Sequence, residues 1–251
     1  MTTQPIRDAA SVLLLRDGTA GIEVWLLTRV RQMVFAAGMS VFPGGRVDER
    51  DTDLPWVGPP PAWFATRFGC DEALARSLVG AAVRETFEET ALLLTVPNAS
   101  LPEARADVEA GRLHFGVLLR ENGLAIDASA VHPWARWITP AGEPRRYDTR
   151  FFVAAALAHA QLQDVTTESS VAGWMPVHEA LAEHARGDRL MLPPTVANLT
   201  SLQAYATVSE ALEAADSRSV DPVAPVLHRR ADRTYVELPD GTIVPLPTAT
   251  S

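Results

Sequence analysis

Lysine is absent from this chain: every one of its 22 basic residues is an arginine, set against 31 Asp and Glu for a formal net charge of −9. A balance of that sign argues against non-specific binding to DNA or RNA, because there is no basic surplus whose counterion release could drive it. Any grip on a phosphate must come from guanidinium forks, backbone amides or a metal ion. Cysteine is almost absent as well, and Cys70 alone can form neither an intrachain disulfide nor a cysteine-held metal cluster. A reducing compartment fits that usage. Long apolar runs are missing: none approaches the ~18 residues of a membrane helix, and Met1 to Ala10 has no apolar core of the signal-peptide kind. The last four residues are no peroxisomal address. The expectation is a soluble cytoplasmic protein with neither membrane nor nucleic acid as partner.

What is present is enough for a proper core. With 251 residues and 47% hydrophobic content, the chain makes one domain, or one domain with an appendage. Ser11 to Leu15 and Ile22 to Thr28 are short apolar runs around a turn at Arg16 to Gly21, which predicts two strands opening the fold as a hairpin. Pro55, Gly58, Pro59, Pro60 and Pro61 predict an irregular surface excursion between Asp51 and Ala62. From Asp71, a plausible N-cap, the pattern turns helical, with Val79, Val83, Phe87 and Leu94 on one side. Further helices are predicted within Leu101 to Asn122, and strands at Trp134 to Thr139, Arg150 to Leu157 and Val171 to Val177, the second of them central. Helices are predicted over Pro176 to Arg186 and Pro194 to Ala215. Past Asp216 the composition changes to short β-type runs with a hairpin turn at Pro239-Asp240-Gly241. Such strands outside a core seek an edge to pair with, which predicts a homodimer contact.

The chemistry is concentrated in Arg84-Glu85-Thr86-Phe87-Glu88-Glu89. Spacings of three and four bring Glu85, Glu88 and Glu89 together on the helix face opposite Val79, Val83 and Phe87. Like charges so placed repel by roughly 0.2–0.5 kcal/mol per pair, a repulsion that a bound divalent cation turns into attraction. Hard carboxylate oxygens suit Mg²⁺ or Mn²⁺. Upstream, Phe42-Pro43-Gly44-Gly45 supplies a turn through which backbone can approach a ligand closely. The six histidines show no metal-ligand spacing.

A Gly-Gly turn followed by an Arg-Glu-x-x-Glu-Glu helix resembles the Nudix box of the Nudix hydrolases. In the ordinary box a glycine is followed by five residues and an acid, then by seven residues and the Arg-Glu run. Here Gly45 is followed by five residues and Asp51, but residues 52–83 stand where the seven belong, which puts an insertion at about residues 52–76. Ala91 replaces the glycine expected after the acidic pair, and Thr86 takes a usually aliphatic position. The interrupted box is similar to that of the subgroup including the peroxisomal coenzyme A diphosphatases, as are Arg145 to Phe152, Gly173-Trp174-Met175 and Leu192-Pro193-Pro194. A coenzyme A signature of the family is matched in part, by Arg29 and Gly38 but with Val34 where an arginine is expected.

The resemblance implies an α/β fold: a Nudix-type α/β/α sandwich with a mixed β-sheet, helical additions and a short C-terminal β extension. It divides the chain into a Nudix domain at residues 1–216 and an extension at 217–251. It implies Glu85, Glu88 and Glu89 as ligands of Mg²⁺ or Mn²⁺, and Arg84 as the group orienting a neighbouring carboxylate. Gly44 and Gly45 would bring backbone to the site; Arg29, Arg46, Arg146 and Arg150 are candidates for binding phosphate or for structural ion pairs, with Arg29 and Arg46 favoured for phosphate by their nearness to the glycine turn. Nudix enzymes take their catalytic base from the box helix or from a later loop, where Glu168 is the candidate. The implied activity is hydrolysis of the diphosphate bond of a small phosphorylated nucleotide-type substrate, coenzyme A or an acyl-CoA first. NADH or ADP-ribose is the enzymatic alternative, and a noncatalytic ligand sensor the alternative of another class.

Overall fold

The structure is a computed structural model that describes residues 5–29, 38–156, 162, 169–230 and 233–247. Strands β1 (Ile6–Gly18) and β2 (Gly21–Arg29) form the expected antiparallel hairpin, with Gly18 opposite Gly21. Val12 and Leu14 of β1 point into one core and Leu13 and Leu15 into another, all fully buried. A strand apolar on both faces requires helices above and below it. The short strands β3 (Ser40–Val41) and β4 (Gly44–Arg46) pair with β2 and β1 respectively.

The proline-rich stretch is the predicted surface excursion only in part: residues 55–60 are half-buried or exposed, but the segments on either side of them are ordered into the core. A 3-10 turn at Glu49–Asp53 leads into β5 (Trp56–Val57) and then α1 (Pro61–Phe68). Pro61 occupies the first helical turn, where its missing N–H has no partner to lose. Leu54, Phe64 and Phe68 then sink into the core. Prolines that forbid a helix interior here mark a helix start.

Helix α2 (Glu72–Thr90) begins as predicted, with Asp71 Oδ1 accepting from Leu74 N at 2.8 Å. Its Val79, Val83 and Phe87 are fully buried, and Leu94 lies beyond its end, also buried. The small elements that follow are β6 (Thr95–Val96), α3 (Arg105–Glu109), α4 (Phe115–Glu121) and β7 (Ala125–Asp127). Strands β5, β7 and β6 form a small sheet of their own in that order.

Strand β8 (His132–Ile138) pairs antiparallel with β9 (Arg146–Ala155), and β9 runs parallel to β1 from Ile6 opposite Arg146 to Leu15 opposite Ala155. The strand predicted at Arg150 to Leu157 is therefore central as expected, though it starts earlier, and Leu157 lies outside the described residues. Strand β10 (Ser169–Pro176) closes the far side by pairing with β2. Helices α5 (Val177–Arg186), α6 (Pro193–Leu202) and α7 (Val208–Ser217) cover the second face. The single helix predicted from Pro194 to Ala215 is broken at Gln203–Thr207. Thr207 caps a new helix by accepting from Glu210 N, while the Glu210 carboxylate accepts from Ala206 N at 2.7 Å. That reciprocal arrangement satisfies donors a continuous helix would have used internally.

The chain ends in β11 (Pro222–Val223), parallel to β8, and a separate sheet of β12 (Val226–Arg229), β13 (Thr234–Glu237) and β14 (Ile243–Pro245). The main mixed sheet runs β10-β2-β1-β9-β8-β11, with α1, α2 and α4 on one face and α5 to α7 on the other. This is the expected α/β/α sandwich with helical additions and a C-terminal β extension. Among the described residues no helix is long and apolar enough to cross a membrane.

Candidate active site

The glycine turn is fastened to β1 before it meets any acid. Val12 N and Ser11 Oγ both donate to the Pro43 carbonyl, at 2.8 and 3.0 Å. A Cβ on Gly44 would stand 2.5 Å from the Ala10 carbonyl oxygen, and one on Gly45 would stand 2.4 Å from a Glu85 carboxylate oxygen. At Gly44 the clash is with β1 backbone, so only glycine lets the turn lie so close to the strand, whereas at Gly45 a side chain would displace the Glu85 carboxylate from its place. From the turn, Gly44 N donates to Glu89 Oε2 at 2.9 Å.

Arg84 ties the rest together. Its Nε and Nη2 grip both oxygens of Asp51 at 2.8 and 3.0 Å, and its Nη1 donates to Glu85 Oε1 at 2.7 Å and Glu88 Oε1 at 3.2 Å. Nη2 also donates to the Arg46 carbonyl at 3.0 Å. Burial disfavours the charge on Arg84, but its hydrogen bond to Asp51 and the negative charges of Glu85, Asp51 and Glu88 outweigh that and hold it above the usual arginine range. For Glu88 the balance goes the other way. Burial, and then the charge of Glu85, push its carboxyl up to about 7 against the pull of Arg84. The cluster thus carries more negative charge than one guanidinium neutralises.

Two supporting residues have roles that the sequence did not disclose. Asp51, 2% exposed, was visible as the acid of an interrupted box, but its bidentate hold on Arg84 was not. Arg105, also buried, donates from Nη1 to the Glu88 carbonyl at 2.7 Å and to Glu109 at 3.1 Å, holding the last turn of α2 from α3. Gly80 completes the support: a Cβ there would lie 2.4 Å from the Asp51 carbonyl. The spacing of Gly45 to Asp51 was a signal for the first; nothing in the sequence pointed to the second.

Glu85, Glu88, Glu89, Arg84, Gly44, Gly45, Arg29 and Arg46 all line one cavity of about 1400 Å³. Glu168 lies outside the described residues. Arg146 also lines the cavity, whereas Arg150 does not: it is buried between Asp8 and Asp148, where it ties β1 to β9. Among the described residues no three acidic, His or Cys side chains are already gathered around one point. Instead, Glu85 and Glu88 are turned onto Arg84 and Glu89 onto Gly44. The donor set nonetheless fits a hard divalent cation: three carboxylates share one cavity wall, with a charge excess that raises Glu88.

A mixed sheet between helical layers, with an Arg-Glu-x-x-Glu-Glu helix packed against a glycine turn, defines a Nudix hydrolase, and this chain is an enzyme of that class. More particularly, it belongs to the family of the NUDT19 Nudix domain, which matches residues 71–202. Among its relatives is an acyl-coenzyme A diphosphatase NUDT19 of Xenopus laevis, 24% identical over 278 residues that cover 92% of this chain and 73% of the relative. A putative nudix hydrolase 7 of Caenorhabditis elegans is 30% identical over 207 residues, covering 80% of this chain and 61% of the relative. The crystal structure of a Nudix hydrolase from Alicyclobacillus acidocaldarius superposes with a TM-score of 0.71 at 28% identity, covering 88% of this chain and all of that one. Nudix hydrolases generally use divalent metal ions and act on small nucleotide-type compounds.

Proposed function

We propose that this enzyme hydrolyses the diphosphate bond of coenzyme A and its thioesters with Mg²⁺ or Mn²⁺ held by Glu85, Glu88 and Glu89. The observation that carries this reading is the single cavity that joins the carboxylate trio and glycine turn to arginines and to an apolar wall. At about 1400 Å³ it exceeds the ~300–1,000 Å³ of drug-sized ligand sites, in keeping with a long nucleotide conjugate. The relatives named as acyl-coenzyme A diphosphatases support the same substrate.

A divalent ion, when bound, neutralises diphosphate oxygens and lowers the pKa of water. The remaining roles fall to the chain. Arg84, clamped by Asp51, sets the rotamers of Glu85 and Glu88 by charge-assisted hydrogen bonds. The Gly44-Gly45 turn admits backbone to the substrate's phosphates, and Arg29 and Arg46, on the same cavity, supply positive charge to them. Glu168 is the loop candidate for the base. In this reading residues 1–216 form the catalytic domain and 217–251 an extension that also mediates a homodimer, and the single cysteine supports a cytoplasmic setting.

The test is a hydrolysis panel with and without metal. Coenzyme A should yield 4'-phosphopantetheine and 3',5'-ADP only when Mg²⁺ or Mn²⁺ is present. Cleavage of NADH or ADP-ribose with coenzyme A untouched would overturn the substrate. Glu88→Gln should lower kcat by orders of magnitude while the protein stays folded, and Glu168→Gln should remove the acidic limb of the kcat/KM pH profile, where protonation of the base switches the enzyme off.

A further inference from the structure

We propose that the C-terminal sheet β12–β14 is a wall of the catalytic cavity and that its inward row seats the acyl chain of a thioester substrate, making this tail the determinant of chain-length preference. The inference rests on the coenzyme A reading above and adds where the apolar end of that substrate goes.

The register of the small sheet sorts its side chains. Leu227 stands directly opposite Val236, and Val236 opposite Val244, so the three share a face. Val226, Glu237 and Ile243 form the neighbouring row on the other face, where Val226 is 57% and Ile243 50% exposed. Leu227 and Leu246, both half-buried, line the same cavity as the carboxylate trio, with Pro225 and Val236, already buried, backing them. Trp137, Ile138 and Pro140, from β8 and the turn after it, to which the tail is bonded, line the cavity too. The cavity therefore joins two chemistries: carboxylates, glycine amides and arginines, and the apolar side chains of the tail and of the end of β8, with Glu143, Arg145 and Arg146 of the adjoining turn also on its lining.

The tail is held in that position at several points. Strand β11 is hydrogen-bonded into the main sheet beside β8. Arg229 Nη2 donates to the Gly142 carbonyl at 2.9 Å, Leu227 lies against the same glycine, and Leu238 packs onto the second core. Cleaving a diphosphate requires none of these apolar groups. Aliphatic side chains on the wall of an open cavity are stabilised when apolar ligand surface covers them, and in a coenzyme A conjugate the apolar end is the acyl chain.

The experiment compares coenzyme A with acetyl-, octanoyl- and dodecanoyl-CoA on the full chain with Mg²⁺, for the wild type, the double variant Leu227→Asn with Val236→Thr, and an outer-row control, Val226→Thr. The wild type should show kcat/KM rising about tenfold or more from coenzyme A to the long thioesters, on the scale of several methylenes entering a hydrophobic pocket. The double variant should lose most of that gain through KM and keep coenzyme A itself within about twofold, and the control should behave as wild type. A flat chain-length series in the wild type overturns the inference, even if the double variant does not fold. So does a double variant, folded by circular dichroism, that loses coenzyme A and thioester hydrolysis equally. Coenzyme A hydrolysed with a flat series sinks the acyl seat alone. If neither coenzyme A nor any thioester is cleaved while ADP-ribose or NADH is, the substrate reading fails and takes this inference with it.

Discussion

The Asp51 carboxylate and the Arg84 guanidinium decide how the three glutamates stand. Both are largely out of water, so removing the acid leaves a buried cation with part of its neutralisation gone. Asp51→Ala should destabilise the protein by about 3–5 kcal/mol, the usual cost of breaking a buried pair from one side. It should also lower metal affinity or activity about 10–100-fold, as loss of a supporting contact does at metal sites. Urea denaturation and Mg²⁺ titration of activity measure the two effects. Glu88 makes a second prediction at this scale. Its folded pKa of about 7 lies above the ordinary 4.5, so between those values the folded state binds more protons than the unfolded one. Stability of the metal-free protein should therefore fall as pH rises from about 4.5 to about 7. Saturating Mg²⁺, which needs the ionised carboxylate, should reverse or flatten that slope. Denaturation midpoints at several pH values, in chelator and in Mg²⁺, check it; a metal-free slope of opposite sign for this contribution would contradict the burial argument. The glutamate trio itself was legible because helix periodicity is local. The Asp51 clamp was not, since its partner lies 33 positions away across an insertion.

Among the elements, the box insertion departs most from expectation. A cluster of prolines reads as surface loop because each removes a donor and restricts its neighbour. In the fold, Pro61 instead opens α1, and Phe64 packs edge-on against Trp56 and Trp63 and tilted against Phe152 of the central strand. Phe64→Ala should therefore cost about 3–5 kcal/mol, a core value; a loss below about 1 kcal/mol in chemical denaturation would contradict the packing of α1 against the central strand. Helix α2 ends on Ala91 at φ 62°, a left-handed residue where the family pattern has glycine. Ala91→Gly should relieve ~1–2 kcal/mol of backbone strain and lose ~0.8 kcal/mol of methyl burial. The expected net gain is about 0.5 kcal/mol, read from thermal denaturation. The boundary of α2 was legible from Asp71, a local cap. The break between α6 and α7 was missed because the apolar period runs on through it, although Thr207 and Glu210 carry the spacing of a capping box.

At the scale of the molecule, the tail has two unlike faces. The inner row meets the cavity, and the outer row leaves Val226 on edge strand β12 and Ile243 on edge strand β14 in solvent. The proposed homodimer would cover that outer row, so light scattering should give about twice 27.1 kDa, and Val226→Asp with Ile243→Asp should return it to the monomer mass. A wild-type monomer at micromolar concentration removes the dimer and leaves the inward wall unaffected.

Sequence alone determined whatever depends on short range. Helix periodicity put three carboxylates on one face, cap and turn residues placed the hairpin and α2, and the run of motif residues implied, by resemblance, a sheet between helical layers. Tertiary structure decided which distant groups meet: Asp51 with Arg84, Arg105 with the Glu88 carbonyl, and Leu227 and Val236 with the cavity that the glutamates line. The division follows from the physics. A repeat of 3.6 or 2 residues is written in adjacent letters, whereas a contact between residues 17 to 33 or more positions apart exists only once sheet register and helix packing have brought the two segments together.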